Sequence, residues 1–425
     1  MSESTPSAAT LITVDVTSLA SGGACVGSIQ KPESLAGKKA FIPYTIPGEV
    51  VEASVRLSKK SFVNADLVKI ERTSPNRITP NCRVFGSCGG CDLQHIELSK
   101  QRTLKASMVE DLLRIHGGIE AREGISLLAA DLPGFGYRRR MSFHINKKGE
   151  FGLYRKNGRS IVELTECPIS TPIINRFLAE NLELLKECAP EIETITVEDH
   201  DGVVYLALEV HPRNTTALET LTPKHAFKEL EQRMPTLQVN FRHKAIYRAA
   251  ERLSDAPPVG HFSQNNKQAN DAMLAFLIEH VRTDRVTDLF AGAGNISIPL
   301  AEAGHTVTAV ELDPALVEFG KVRAAQAQMS ERLTFHSASC EKWIADFTPD
   351  ETVVLDPPRS GALGVCERLS AEVSPHLLYV SCYPPTFARD VQALAARGYT
   401  LVSVAVLDMF PQTYHSELIG VLERA

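Results

Sequence analysis

Residues 286–304 read VTDLFAGAGNISIPLAEAG: a β-branched run, a loop with two glycines one residue apart, and a helix-forming segment that stops at another glycine. Gly292 and Gly294 let the backbone turn sharply and come close to a ligand at a helix start. Just downstream, TVTAVELD (306–313) ends a second strand at Glu311, placed to bind a ribose hydroxyl pair. The dinucleotide fingerprint G-x-G-x-x-G is not met, because position 297 is Ser. A nucleotide-binding βαβ unit of another kind and a merely tight loop both remain open at this point. From residue 261 to the end, strand-like and helix-like runs alternate (RVTDLF, TVTAVEL, ALVEFGKVRAAQAQ, TVVLD, LLYVS, FARDVQALAARG). That alternation predicts an α/β domain with a doubly wound parallel sheet over 261–425.

Two further strands of this domain end on chemistry. VVLDPPRSG (353–361) places Asp356 at a strand's carboxyl end, where open α/β sheets bind ligands, with prolines stiffening the loop behind it. LLYVSCYPPT (377–386) places Cys382 at the end of the next apolar run. A cysteine on an apolar strand is ordinarily a small buried hydrophobe. At the carboxyl edge beside a cofactor it reads instead as a nucleophile. A pyrimidine C5 carbon is inert until a thiolate adds to C6, and covalent attack of that kind splits one hard step into easier ones. A base must then remove the C5 proton, and Glu417 in LDMFPQTYHSELIGVL (407–422) is the candidate, with His415 two residues before it. A lone Glu is by default a solvated residue; the Phe-Pro turn ahead of it favours function.

The N-terminal half has another texture. LITVDVTSL, GSIQ, KAFIPYTI, EVVEASVRL and ADLVKIE, broken by SGGA and IPGE, predict a small β-barrel over residues 10–73. After it comes CRVFGSCGGCDLQH (82–95), and Cys167 stands in TECPI (165–169). Cys82, Cys88, Cys91 and Cys167 make four thiolates, a set suited to tetrahedral zinc or to an iron–sulfur cluster. Cys25, Cys188, Cys340 and Cys366 have no partners in sequence and read as structural. Residues 96–117 predict a helix ending on Gly117-Gly118, and residues 74–260 as a whole read as a central α+β domain.

Composition sets limits. The chain has 425 residues, 44% hydrophobic and 23% charged, with net charge −6 and nine cysteines. These are values of ordinary globular protein, and the net acidity does not advertise a nucleic-acid binder. No apolar run is long enough to span a membrane, and MSESTPSAATLITV lacks a signal peptide's basic and apolar regions. A cytoplasmic protein is expected, in which clustered cysteines mean metal or catalysis rather than disulfides.

The form Asp-Leu-Phe-x-Gly-x-Gly-Asn, followed by an acid at the end of the next strand, resembles S-adenosylmethionine (SAM) methyltransferases. Arg359 stands after the two prolines where amine methyltransferases typically carry an aromatic, which argues against amine methylation. DLFAGAGN, VEL, LDPPRSG, VSCYPPT, DMFPQTYHSE and FSQNN together resemble the RNA uridine-5-methyltransferases. In the same comparison, GGACVGSIQ and GKKAFIPYTIPGEVVEASV look like a TRAM barrel, an RNA-binding module. CRVFGSCGGCDLQH and the segment from GYRRRMSF to TECPI look like the cluster-bearing central domain of the 23S ribosomal RNA branch.

The resemblance implies Cys382 as nucleophile and Glu417 as base. It implies Gln264, Phe290, Gly292, Asn295, Glu311 and Asp356 as SAM-site positions, Asp356 also lying close to the uracil. Ser339 falls where the family often has Asn. The four-thiolate set becomes a [4Fe-4S] cluster on the same grounds. RNA is the implied partner, 23S ribosomal RNA first and transfer RNA (uridine 54) as alternative, with a monomer and no membrane. GYRRR (Arg138, Arg139, Arg140), Lys59, Lys60, Arg155 and Lys156 are candidate phosphate contacts. Two other classes compete. A radical-SAM thiomethyltransferase would need C-x3-C-x2-C and a C-terminal barrel, both absent. A non-catalytic RNA-binding or chaperone protein would not need Cys382 and Glu417 intact.

Overall fold

The computed structural model describes residues 10–214, 216–242, 244–249, 264–344 and 351–425. The chain forms two compact units. One comprises residues up to Met108 with Leu153–Leu164 and Phe410–Tyr414; the other comprises Val109–Gly152, Thr165–Met409 and His415–Ala425.

The first unit contains a closed five-stranded barrel. Its strands are β1 (Leu11–Leu19), β2 (Ala24–Lys31), β3 (Lys39–Pro43), β4 (Val50–Ser58) and β5 (Phe62–Arg72), in the order β1-β2-β3-β5-β4. Apolar residues alternate along each strand, so Ile12, Val14, Val16, Ile42, Val51, Ala53 and Val63 fill the interior while their neighbours face out. Closure removes the unpaired edges that an open sheet of this size would expose. Buried Glu49 ties the barrel to the connector that follows. Its carboxylate accepts hydrogen bonds from the Ile46 and Ser74 amides and from Arg77 Nε and Nη2, the last at 2.8 Å. Burial alone would push this carboxyl up, but the guanidinium and the two amides outweigh it and hold it below the ordinary glutamate value.

Helix α1 (Leu98–Leu112) follows the cysteine segment, ends in one π turn (Leu113–Gly117) and is closed by Gly118 at φ 58°. The helix expected over 96–117 is therefore regular only to Leu112. Val109 and Leu113 join the second unit's core, and β6 (Ile125–Leu128) hydrogen-bonds parallel to a strand of that unit's large sheet. The burial pattern of β6 is uninformative, which is why the sequence assigned its residues elsewhere.

The second unit holds two sheets. The smaller includes β7 (Arg140–Ile145), the start of β8 (Phe151–Tyr154), β10 (Ile192–His200), β11 (Val203–Val210), β12 (Gln238–Phe241) and β13 (Lys244–Arg248), while β9 (Ile161–Glu163) lies in the first unit. Asp201-Gly202, both at positive φ, make the two-residue turn that joins β10 to β11. Helices α2 (Pro172–Glu187), α3 (Ala217–Leu221) and α4 (His225–Arg233) accompany this sheet.

The larger sheet has the order β16-β15-β14-β17-β18-β20-β19-β6. Its strands are β14 (Arg285–Leu289), β15 (Thr306–Glu311), β16 (Leu333–Ser337), β17 (Thr352–Leu355), β18 (His376–Ser381), β19 (Tyr399–Leu407) and β20 (Glu417–Arg424). Helices α5 (Lys267–His280), α6 (Ser297–Glu302), α7 (Pro314–Gln326), α8 (Cys340–Trp343), α9 (Leu363–Cys366) and α10 (Pro384–Ala395) connect them. The expected doubly wound sheet is present with two departures: β20 runs antiparallel to both β18 and β19, and β6 from far upstream adds a strand beside β19. All six residues of β18 are buried, with residues 377–380 the apolar centre of a strand covered on both faces.

Candidate active site

The site grows out of the sheet's register. Leu289 of β14, Leu355 of β17 and Tyr379 of β18 lie level in neighbouring parallel strands. The residues that follow, Phe290, Asp356 and the Val380-Ser381-Cys382 run, therefore emerge together at one carboxyl edge. Glu311 ends β15 at the same edge. Because β20 is antiparallel, its first residue arrives where its neighbours end. Ser381 pairs with Leu418, so the next step of the register sets Cys382 opposite Glu417. A strand running the other way would have carried Glu417 to the far side of the sheet.

The loop after β14 makes the first half of the site. Phe290 is at φ 65°, a left-handed conformation costing a bulky residue about 1–3 kcal/mol, and its ring packs against the core. Gly294, at φ 84°, comes so close to Phe335 that a Cβ there would stand 2.9 Å from the ring. Only glycine permits that approach. Glu311 Oε2 accepts from the Gly292 N–H at 3.0 Å and Oε1 from the Asp313 N–H at 2.8 Å. Two amides thus aim the carboxylate while each oxygen keeps a lone pair for a ligand hydroxyl, as a ribose diol requires.

Asn295 is paired amide to amide with Asn270 of α5, at 3.0 and 3.2 Å. Ser339 stands at the start of α8 and donates its hydroxyl to Glu341. Gln264 is half-buried just ahead of α5, which Asn266 caps by accepting from the Ala269 N–H. Phe262 and Ser263 of the FSQNN motif lie outside the described residues. Beneath the loop, Asp288 is fully buried and accepts the Ser297 hydroxyl. Burial raises its carboxyl to about 7, with the Asp356 and Glu311 charges adding to the rise.

The second half is a charge constellation around a thiol. Burial pushes the Cys382 thiol up, the Glu417 and Asp356 carboxyls push the same way, and Arg359 opposes them through its charge and a hydrogen bond. Burial raises Asp356 to about 7. Glu417 is raised well above the ordinary glutamate value by burial and then by Asp356, with Arg359 again opposing. Arg359 Nη2 also lies 3.3 Å from His415 Nδ1. Elevated acids beside a partly buried thiol and one guanidinium form a set able to add a thiolate, accept a proton and hold developing negative charge. Sequence reading used Arg359 only to exclude amine methylation; its place beside Cys382 depends on a loop folding back and leaves no local signal.

The cysteine segment is internally braced. The Cys82 N–H donates to Gln94 Oε1 at 3.1 Å, the Cys88 N–H to the Val84 carbonyl at 2.9 Å, and the Gly90 N–H to Cys88 Sγ at 3.4 Å. Cys167 belongs to the second unit, where its N–H and carbonyl engage both ends of the Asn175 amide. None of the nine cysteines is in a disulfide. Among the described residues no three Cys, His, Asp or Glu side chains gather into a ready metal site. Cys25, Cys188, Cys340 and Cys366 are buried, with the first three thiols raised to about 12 chiefly by burial, as inert core residues should be.

The candidate phosphate contacts divide. Arg139 bonds the Asp199 carbonyl and Asp201, Arg140 bonds buried Glu198 at 3.1 Å, and Lys156 bonds Asp92 at 2.8 Å and lies over the Tyr44 ring. Lys59, Lys60 and Arg155 are exposed. Two of the three GYRRR arginines, Arg139 and Arg140, thus also brace the fold. No helix among the described residues is long and apolar enough to cross a membrane.

Comparison with known proteins places this geometry. The TRAM domain family matches residues 10–68, and the tRNA (Uracil-5-)-methyltransferase family matches residues 344–425. A 23S rRNA (uracil(1939)-C(5))-methyltransferase RlmD from Shewanella sp. (strain MR-7) is 31% identical over 422 residues, covering 92% of each chain. One of the same name from Halomonas elongata is 33% identical over 414 residues, covering 91% of this chain and 85% of its own. The crystal structure of Pyrococcus abyssi tRNA (uracil-54, C5)-methyltransferase with S-adenosyl-L-homocysteine shares the fold at TM-score 0.71, covering 96% of this chain and 99% of that one at 22% identity. With the barrel at one end, a thiol and an acid in register at the other, and relatives aligned along nearly the whole length between, the chain belongs to the RNA (uracil-C5)-methyltransferase family.

Proposed function

We propose that the protein methylates C5 of a uridine in 23S ribosomal RNA, using SAM as methyl donor. The observation that carries this reading is the opposition of Cys382 and Glu417 across β18 and β20, with Asp356 and Arg359 beside them. SAM when bound supplies an electrophilic methyl. The site residues fit it: Glu311 is aimed by two amides beside a loop in which Gly292 faces open space.

Cys382, its thiol proton released to solvent, then attacks C6 of the flipped-out uracil as thiolate, forming an S–C6 bond and placing the electron pair on C5 and the O4 side of the ring. That carbon takes the methyl group. Glu417, ionised in the working complex, removes the remaining C5 proton, and the electrons of the C5–H bond expel Cys382 as thiolate. A carboxylate whose affinity for protons is raised by burial is a stronger base than a free glutamate, which suits this step. Arg359 favours the thiolate at both ends of the cycle. Gln264, Phe290, Asn295 and Ser339 complete the cofactor cradle in this reading, and the TRAM barrel, with exposed Lys59 and Lys60, grips the RNA backbone.

The ribosomal target is supported by the relatives' names and by near full-length alignment to them. Nucleotide-resolution mapping of 5-methyluridine in ribosomal and transfer RNA from a deletion strain tests it. One uridine of 23S RNA should lose its mark; loss at transfer-RNA position 54 instead would overturn the ribosomal assignment.

We further propose that Cys82, Cys88, Cys91 and Cys167 hold a [4Fe-4S] cluster within a central α+β domain spanning 74–260. The support is the donor set itself, four thiols outside any disulfide, and an amide N–H directed at Cys88 Sγ, a contact that stabilises cluster thiolates. Iron and acid-labile sulfide in equal amounts are expected on anaerobically purified protein, and stoichiometric zinc would overturn the assignment.

A further inference from the structure

Asp390, on α10, has no part in the chemistry just described, yet it is fully buried and receives four donors. Its Oδ2 accepts from the Tyr379 hydroxyl and from the Ala362 N–H, both at 2.6 Å. Its Oδ1 accepts from Arg389 Nε at 2.8 Å and Nη2 at 2.7 Å. A charge so placed is expensive to bury and persists where its partners repay it.

Those partners share one object, the loop that carries Arg359. Arg389 Nη2 also donates to the Ser360 carbonyl at 2.9 Å, and Thr386 Oγ1 donates to the Arg359 carbonyl at 3.2 Å. Gly361, at φ 76°, approaches so closely that a Cβ would run into the Asp390 carboxylate and the Arg389 guanidinium. Helix α10 therefore grips residues 359, 360 and 362 through their backbones. The same helix begins at Pro384, two residues after Cys382. Nucleophile and cation are thus referenced to one rigid element.

We infer that Asp390 is a positioning residue for the methyl-transfer reaction, its carboxylate holding the 359–362 loop on α10 so that the Arg359 guanidinium faces the Cys382 sulfur. The inference rests on Cys382 being the nucleophile. Asn at this position keeps the shape but not the role. Whichever way the amide lies, its NH2 meets N–H or O–H donors on one side, and either Arg389 or the Ala362 amide loses its acceptor.

The test is alkylation of Cys382 by iodoacetamide in the full-length, RNA-free protein, followed at the Cys382 peptide by mass spectrometry across pH 7–11.5. Arg359→Ala sets the scale of the shift. Asp390→Asn should slow alkylation at neutral pH by about tenfold and move its midpoint upward toward that of Arg359→Ala, as a weakened thiolate does. Thr386→Val, which removes one neutral hydrogen bond to the loop, should shift it the same way by about threefold, and it carries the test if Asp390→Asn does not fold. Calorimetric SAM binding checks the fold of each variant. If Arg359→Ala moves the midpoint and neither of the other variants does, the grip does not set Arg359 and the inference fails. Because alkylation needs no RNA, that failure would leave the uracil chemistry standing, and a wrong RNA target would leave this result untouched.

Discussion

A Cys382→Ala variant is expected to bind SAM as the parent does, to lose methylation of its RNA by about four orders of magnitude or more, and to form no covalent complex with RNA carrying 5-fluorouridine. The size follows from the chemistry. Without the S–C6 bond the uracil ring offers no electron-rich C5, and no neighbouring side chain replaces a thiolate in that role. Asp356 and Glu417 are hard oxygen nucleophiles whose carboxyl pKa values burial raises, and Arg359 cannot give up its proton. Binding of SAM should survive because the residues proposed to cradle it stand on β14, β15 and loops other than the one that carries Cys382, which follows β18. The substitution removes a half-buried sulfur at a strand end, so its structural cost is small. The fluorouridine readout separates the nucleophile from a bystander: fluorine at C5 blocks the final elimination and traps whatever residue has added at C6. An adduct retained in Cys382→Ala would show that another residue attacks.

How much of this was legible in the chain depends on how local each signal is. The barrel was readable strand by strand because its period-two alternation is written in neighbouring residues. The Gly292–Gly294 loop and Glu311 were readable for the same reason. Cys382 gained meaning first from its place at a strand's carboxyl end beside the cofactor loop and then from the resemblance, since a cysteine in an apolar run carries no mark of reactivity of its own. Its pairing with Glu417 needs the antiparallel register of β18 and β20, fixed by chain segments that periodicity cannot align. Arg359 and Asp390 were invisible in a stronger sense. An Asp in a helix reads as solvated and an Arg after two prolines spoke only against amine methylation; the fold buries the one and sets the other beside the Cys382 sulfur. GYRRR is a different case: two of its arginines, conspicuous in sequence, also bond Glu198, the Asp199 carbonyl and Asp201. Charge is easy to see in sequence, but whether it is already compensated is a tertiary fact.

A Glu417→Gln variant should fail later in the cycle than Cys382→Ala and so look different. Attack at C6 and methyl transfer to C5 need no base, so the variant should consume one methyl group per chain and stop. The expected product is a stable protein–RNA complex on unmodified uridine RNA, carrying the transferred methyl and resolvable on a denaturing gel. Turnover should fall by about 10²–10⁴-fold, the usual worth of a positioned general base. Gln fills the same buried space without a charge to desolvate, so stability should hold or rise, which separates this loss from misfolding. His415 stands two residues before Glu417, with its Nδ1 3.3 Å from Arg359 Nη2. Normal turnover by Glu417→Gln would move the base to His415 or to Asp356. The two variants together order the reaction: no adduct without the thiol, and no release without the acid. That order is what the register of two strands predicts, because it sets the acid opposite the sulfur, across the ring that the sulfur has captured.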